Sequence, residues 1–419
     1  MRRALLVGGV GGALCCMDCS LIDAALPSMI GHVFSSGWQA AFFVAIAQVG
    51  MIVASAVGQP ALTRLGSSGV LRTAAALSVL GTGILVLSAG CYPILVAGRC
   101  LHGIGRGLVF LAMPLYLSDS VLAEKRGRTI CFYQLMITVG MIVGSAFGWC
   151  AGHLVGSASV WRVDLLFGMM PALLLLVFVG RGTGPLAVQA PELHGAAMRT
   201  TLATVAVGVA LPSLVQFVGI GVVITYSVGI LRQSGFVGLD ANLADVIIKG
   251  VYALMTAVAM VLIGHASSRR LLMIGSGGVA LSLVIAALSF GAPVPLLMSL
   301  ILFVLFFAIG PGACVWLVPA EVLPLRHRAT GMSIATFASH VSTLTVVMTF
   351  LPATEAFGPR PVFAAYAVMA VVMFVLCLLF LPRRSLLNPR PNPPTTETTT
   401  GHTTQDASRK TQRRICRTK

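Results

Sequence analysis

Asp18 and Arg99 stand inside apolar stretches long enough to cross a lipid bilayer. A charge at that depth is costly unless it is paired or hydrated, so it marks a route for a solute or for protons. A carboxylate in a low dielectric takes up a proton more readily, and a neighbouring guanidinium opposes this. Moving an arginine relative to such an aspartate can therefore switch a proton on and off.

Other chemistries find less support. Asp18, Asp119 and Glu321 fall on separate apolar segments with no nucleophile–base spacing, so no enzyme is expected. The ten cysteines lie mostly in the apolar segments, with Cys15, Cys16 and Cys19 clustered in the first. Buried free cysteine behaves as a small hydrophobe, and no C-x-x-C pair is matched by a second one, so neither metal nor cofactor is expected.

The elements that must position these residues are helices in a membrane. Hydrophobic residues make up 57% of the 419 positions and charged residues 10%, against about 25% charged in soluble domains. Apolar runs near 5–31, 39–60, 70–90, 94–117, 129–152, 160–181, 201–230, 243–264, 270–290, 295–323, 330–352 and 361–381 each approach the length needed to span the hydrocarbon. The expected fold is all-α and polytopic, with about twelve transmembrane helices. The N-terminal run follows Arg2 and Arg3 like a signal peptide, but its length, Asp18 and the spans that follow predict a retained first helix.

Basic residues set the topology. Arg2, Arg3, Arg64, Arg72, Lys125, Arg126, Arg128, Arg181, Arg199, Arg269, Arg270, Arg326, Arg328, Arg383 and Arg384 fall at alternate connections, while the others carry Asp240, Asp245 and Glu355. The positive-inside rule then places both termini in the cytosol. The net charge of +16 is largely topological and calls for no nucleic acid. A short cytosolic linker at 183–200 separates the first six apolar runs from the last six, and a disordered basic Pro/Thr-rich tail follows at 383–419. The tail's cations can touch anionic lipid. Asp245 and Lys249, four apart, can pair on one helix face or Lys249 can reach for the interface, and Asp23 can line an outer vestibule.

Several ordered motifs point to a family. Gly98-Arg99 opens a run with Gly103, Gly105 and Gly107, then Pro114, Tyr116, Asp119, Glu124, Arg126 and Gly127, followed by Gln134 to Gly140 as QLMITVG. The first span reads LCCMDCSLIDAALP, the seventh QFVGIGVVITYS, and the tenth GPGACVWLVPAEVLP with Arg328 following. Together these resemble the sugar-porter branch of the major facilitator superfamily, and the chain is identified as a divergent member. The resemblance implies two six-helix bundles, at 1–182 and 201–382, around one central site, alternating access, and a sugar, with hexose the leading expectation. It implies substrate contacts at Gln134, Gln216 and Trp316, since an amide offers a hydroxylated solute both a donor and an acceptor and an indole adds a flat face and an N–H; Ile137 is a further candidate contact. It implies proton coupling at Asp18 with Arg99, and a cytosolic gate of Asp119, Glu124, Arg126, Glu321 and Arg328. Protons, a small polar substrate and membrane lipid are the expected partners, and the plasma membrane is favoured over an internal one.

Departures leave alternatives open. The family's conserved loop between spans two and three survives only as Leu62, Arg64 and Gly66, and its counterpart between eight and nine only as Arg269 and Arg270. Family asparagines and one glutamine are replaced by Val215, Gly221, Val222, Ala253 and Ser339. Fewer directed hydrogen bonds would hold a hexose, so a non-sugar metabolite, a facilitative carrier and a non-transporting sensor that signals through its tail stay in view.

Overall fold

The computed structural model describes residues 2–30, 32–121, 123–155, 160–179, 202–237, 240–263, 266–315, 318 and 328–381. The linker expected at 183–200 and the tail at 383–419 lie outside the described residues. In lipid a backbone must satisfy its own N–H and C=O groups, and a helix does so within one segment. Among the described residues, twelve helical spans are long and apolar enough to cross a membrane. They are Arg3–Met29, Gly37–Gly58, Pro60–Leu87, Tyr92–Leu117, Phe132–Leu154, Val160–Phe178, Val209–Gln233, Asp240–Leu262, Ser268–Ser289, Pro293–Cys314, Ile334–Phe357 and Pro359–Phe380. They are called the first to the twelfth span below.

Two breaks within these helices have local causes. The second and third spans lie in one helical run that is interrupted at Gly66, with φ 67° and ψ 171°. The seventh span is interrupted at Gly219, whose φ of 90° separates the helix ending at Phe217 from the one starting at Ile220. A side chain would strain that left-handed backbone, and a Cβ there would stand 2.7 Å from the Tyr366 ring. Broken spans free backbone groups at membrane depth, where they can meet a solute.

The first six spans pack mainly among themselves, as do the last six. Small residues bring backbones together: a Cβ on Gly103 of the fourth span would lie 2.3 Å from the Ala47 carbonyl oxygen of the second. Across the halves the first span meets the seventh, the fifth meets the eighth, and the eleventh meets the second. The last two contacts exchange under a shift of six spans, as expected for halves related by a pseudo-two-fold. Ile22, Met29, Phe34 and Phe43 of the first half join Val222, Tyr226 and Phe350 of the second in one apolar core. These residues lie toward the end remote from Arg3 and Phe380, so the two halves are sealed at that end.

Candidate functional site

Charged side chains gather at two levels of the first span. Asp18 lies mid-span and is 5% exposed. Arg99 of the fourth span is 1% exposed and sets Nη1 against both carboxylate oxygens, at 2.6 and 2.7 Å. Arg106 adds Nη1 at 3.1 Å, and His102 places Nε2 at 3.5 Å. Arg99, His102 and Arg106 follow one another at helical spacing, so one face of the fourth span presents all three to the aspartate. Thr82 of the third span fixes the His102 ring through Nδ1 at 3.1 Å. The Arg99 guanidinium also lies 5.7 Å from the centre of the Phe43 ring.

This level holds more positive than negative charge. With His102 neutral, two guanidiniums face one carboxylate. Arg106 completes its contacts with sulfur, donating to Cys19 Sγ at 3.1 Å and Met51 Sδ at 3.3 Å. Sulfur is a weak acceptor, so Arg106 is the less well satisfied of the two arginines. His340, half-buried on the eleventh span, is within electrostatic range of Arg106 from the opposite half.

The second level lies closer to the sealed end and spans both halves. Asp23 of the first span accepts from the Val228 backbone N–H at 3.1 Å, from Ser227 Oγ at 2.5 Å and from Lys249 Nζ at 3.1 Å. Lys249 also donates to Asp245 at 2.8 Å. Asp245 is further bound by Ser145 Oγ of the fifth span at 2.6 Å and by Ser227 Oγ. Asp23, Asp245 and Lys249 are each 1% exposed. Lys249 therefore does not reach for the interface, and Asp23 lines no open vestibule here. The cause is complementary charge on the facing half: one ammonium sits between two carboxylates that would otherwise be buried without a partner.

The other expected positions are placed as follows. Gln216 Nε2 donates to Ser339 Oγ at 3.2 Å, joining the seventh and eleventh spans. Ile137 is buried and Gln134 is exposed. Asp119 is exposed near the end of the helix Tyr92–Ser120. Glu124 and Arg126 lie on the helix Ala123–Leu154, and Arg328 opens the helix Arg328–Phe357, but their side chains are outside the described ones. Trp316 and Glu321 fall outside the described residues. The pairing of Asp18 with Arg99 is present. Sequence reading missed His102 and Arg106, whose spacing from Arg99 was the available signal, and it missed the meeting of Asp23 with Lys249.

Comparison with known proteins adds the lineage. The family described as "Sugar (and other) transporter" matches residues 31–180 and 192–387. The putative metabolite transport protein YwtG of Bacillus subtilis (strain 168) is 27% identical over 411 residues, covering 88% of this chain and 89% of that protein. The glucose transporter GlcP of Staphylococcus epidermidis is 24% identical over 419 residues, covering 90% and 93%. A crystal structure of a D-xylose-proton symporter superimposes with a TM-score of 0.79 at 24% identity, covering 91% of this chain and 98% of that one. The fold is thus that of the major facilitator superfamily.

Proposed function

The chain belongs to the sugar (and other) transporter family, and from that premise we propose that it carries a sugar, hexose first, across the plasma membrane in symport with a proton. The buried pair of Asp18 and Arg99, 2.6 Å apart at mid-span, carries the reading. In the proposed cycle, substrate and proton enter while the sealed end is open, and the two halves then rock about the central site. Protonation of Asp18 weakens its hold on Arg99 and Arg106, which frees the fourth span to shift against the first. Return of the arginines expels the proton on the other side. Gln216 with Ser339, Gln134, Ile137 and Trp316 are the proposed sugar contacts. Asp119, Glu124, Arg126, Glu321 and Arg328 are the proposed gate at the cytosolic end, where the positive-inside rule puts both termini.

Arg106 sharpens the proposal. A lone Asp–Arg pair is neutral, whereas this centre keeps a positive excess as long as both arginines hold Asp18. The named sugar relatives, GlcP and the D-xylose-proton symporter, support a neutral sugar and a proton as cargo. The test is uptake of labelled hexose into liposomes holding the full chain, with and without an inward proton gradient. It compares the unmodified protein with Asp18→Asn/Arg106→Gln, which lacks the carboxylate but keeps the centre's charge. Gradient-driven accumulation that the double variant loses is the expected result. Uptake that only equilibrates, in both proteins alike, would make the carrier facilitative and the pair structural.

A further inference from the structure

The cluster of Asp23, Ser145, Ser227, Asp245 and Lys249 contains one hydrogen too few. Three oxygen–oxygen contacts join its members: Ser145 with Asp245, Ser227 with Asp23, and Ser227 with Asp245. Two serines supply two hydroxyl hydrogens. The Lys249 hydrogens and the Val228 N–H are directed at carboxylate oxygens along their own lines, so Ser227 holds one hydroxyl hydrogen between two carboxyl groups. A hydrogen on a carboxyl group would give the third contact a donor of its own. Charge gives the same count, since one ammonium neutralises one of the two buried carboxylates and leaves the other to be neutralised at membrane depth.

We propose that Asp23, seated between Ser227, Val228 and Lys249, carries one exchangeable proton, and that this proton is part of a latch holding the two halves together at the end remote from Arg3 and Phe380. Asp23 and Ser145 come from the first half, while Ser227, Asp245 and Lys249 come from the second. Opening that end must pull Asp23 away from Ser227, Val228 and Lys249. Asp245 and Lys249 share one helix and stay paired as a neutral couple, which needs no proton. Asp23 is left facing water, where a carboxylate is ionised at neutral pH. Closing therefore takes up one proton and opening releases it. Among the described residues, Tyr226, whose hydroxyl is engaged with the Val347 carbonyl, and Arg232, which donates to Asn242, also lie within electrostatic range of Asp23. Both accompany the second half, and Arg232 is exposed to solvent, so it does not stand in for a proton at the buried carboxyl.

The direction follows. A closed state that holds one more proton than the open state is favoured by acid, by up to tenfold per pH unit. The proton comes from and returns to the same side, so it regulates opening and adds nothing to net proton movement. This separates the latch from Asp18 and makes its test independent of any flux.

Infrared difference spectra of the full chain in lipid, recorded with H/D exchange at neutral pH, would show the latch proton as a protonated-carboxyl stretch. That band is expected to vanish in both Asp23→Asn and Asp245→Asn, because either change leaves one carboxylate matched to Lys249. It is expected to persist in Asp164→Asn, a control for the buried aspartate of the sixth span. A second readout is the distance between spin labels at positions 35 and 237, on exposed loop residues of the two halves. Its open fraction should rise with pH in the unmodified protein and lose that slope in Asp23→Asn. A band unchanged by both substitutions, or a pH slope that survives Asp23→Asn, would overturn the proposal, whether or not the protein transports hexose.

Discussion

Removing Asp18 should destabilise this protein more than removing either arginine that binds it. Asp18→Asn leaves Arg99 and Arg106 facing one another with no carboxylate between them, both at 3% exposure or less. Breaking a buried ion pair by deleting one partner costs about 3–5 kcal/mol, because the remaining charge stays desolvated. Arg99→Gln is different. Asp18 then keeps Arg106 at 3.1 Å, so the centre becomes neutral and the loss is that of charged hydrogen bonds, about 1.5–3 kcal/mol. Arg106→Gln should cost least, since the Asp18–Arg99 pair survives intact and the guanidinium's other acceptors are sulfur atoms. Asp18→Asn/Arg106→Gln leaves one buried cation in place of two, and should recover about 0.5–3 kcal/mol relative to the sum of its single changes. Detergent titration of the purified chain in mild micelles, followed by circular dichroism, gives the order. An Arg99→Gln variant less stable than Asp18→Asn, or a double variant with additive losses, would refute the charge count at this centre.

Two further outcomes follow from packing and from the sugar contacts. Gly103→Val should prevent normal assembly of the second and fourth spans, since even a Cβ would lie 2.3 Å from a backbone oxygen; overpacking costs about 1–3 kcal/mol when side chains can move, and more against backbone. Monodisperse yield from membranes measures this, and wild-type yield would contradict it. Gln216→Ala should weaken hexose binding by about 0.5–1.5 kcal/mol, roughly one directed hydrogen bond, with Ser339→Ala smaller because Gln216 then loses only an internal competitor. Equilibrium binding of labelled hexose to the purified protein reads both, and a tighter Gln216→Ala complex would remove Gln216 from the site.

The membrane class, the twelve spans and the Asp18–Arg99 pair were legible because each depends on composition or on a local motif. Apolar runs need no partner to declare themselves, and the G-R start of the fourth span carries its own family likeness. The edges were less legible. The tenth span is interrupted at Gly310, with φ −108° and ψ −88°, and its expected end at 323 lies outside the described residues. The second charged cluster was hidden for a different reason. Asp245 and Lys249 stand four apart and read naturally as a pair on one helix, which they are. That Asp23 would join them depends on how two separate bundles dock, and periodicity within one helix holds no information about a facing helix. His102 and Arg106 stand at helical spacing from Arg99, but both fall between the glycines that carry the family likeness and belong to no motif of their own.

The two clusters divide the work of the first span by geometry. Asp18 and Asp23 are five residues apart, which on an α-helix is a rise of about 7.5 Å and a turn of about 140°. The first aspartate therefore faces the fourth span of its own half, and the second faces the seventh and eighth spans of the other half. A rigid rocking of one half against the other must break the contacts of Asp23 but can leave those of Asp18 untouched. For Asp18 to exchange a proton in step with the rocking, the first and fourth spans must also shift within their half. His340 on the eleventh span, within electrostatic range of Arg106, is a group through which the opposite half can drive that shift. If it does, His340→Leu should leave the pH response of the latch intact while reducing accumulation driven by a proton gradient. Loss of both together would mean that the two clusters titrate as one unit along the first span.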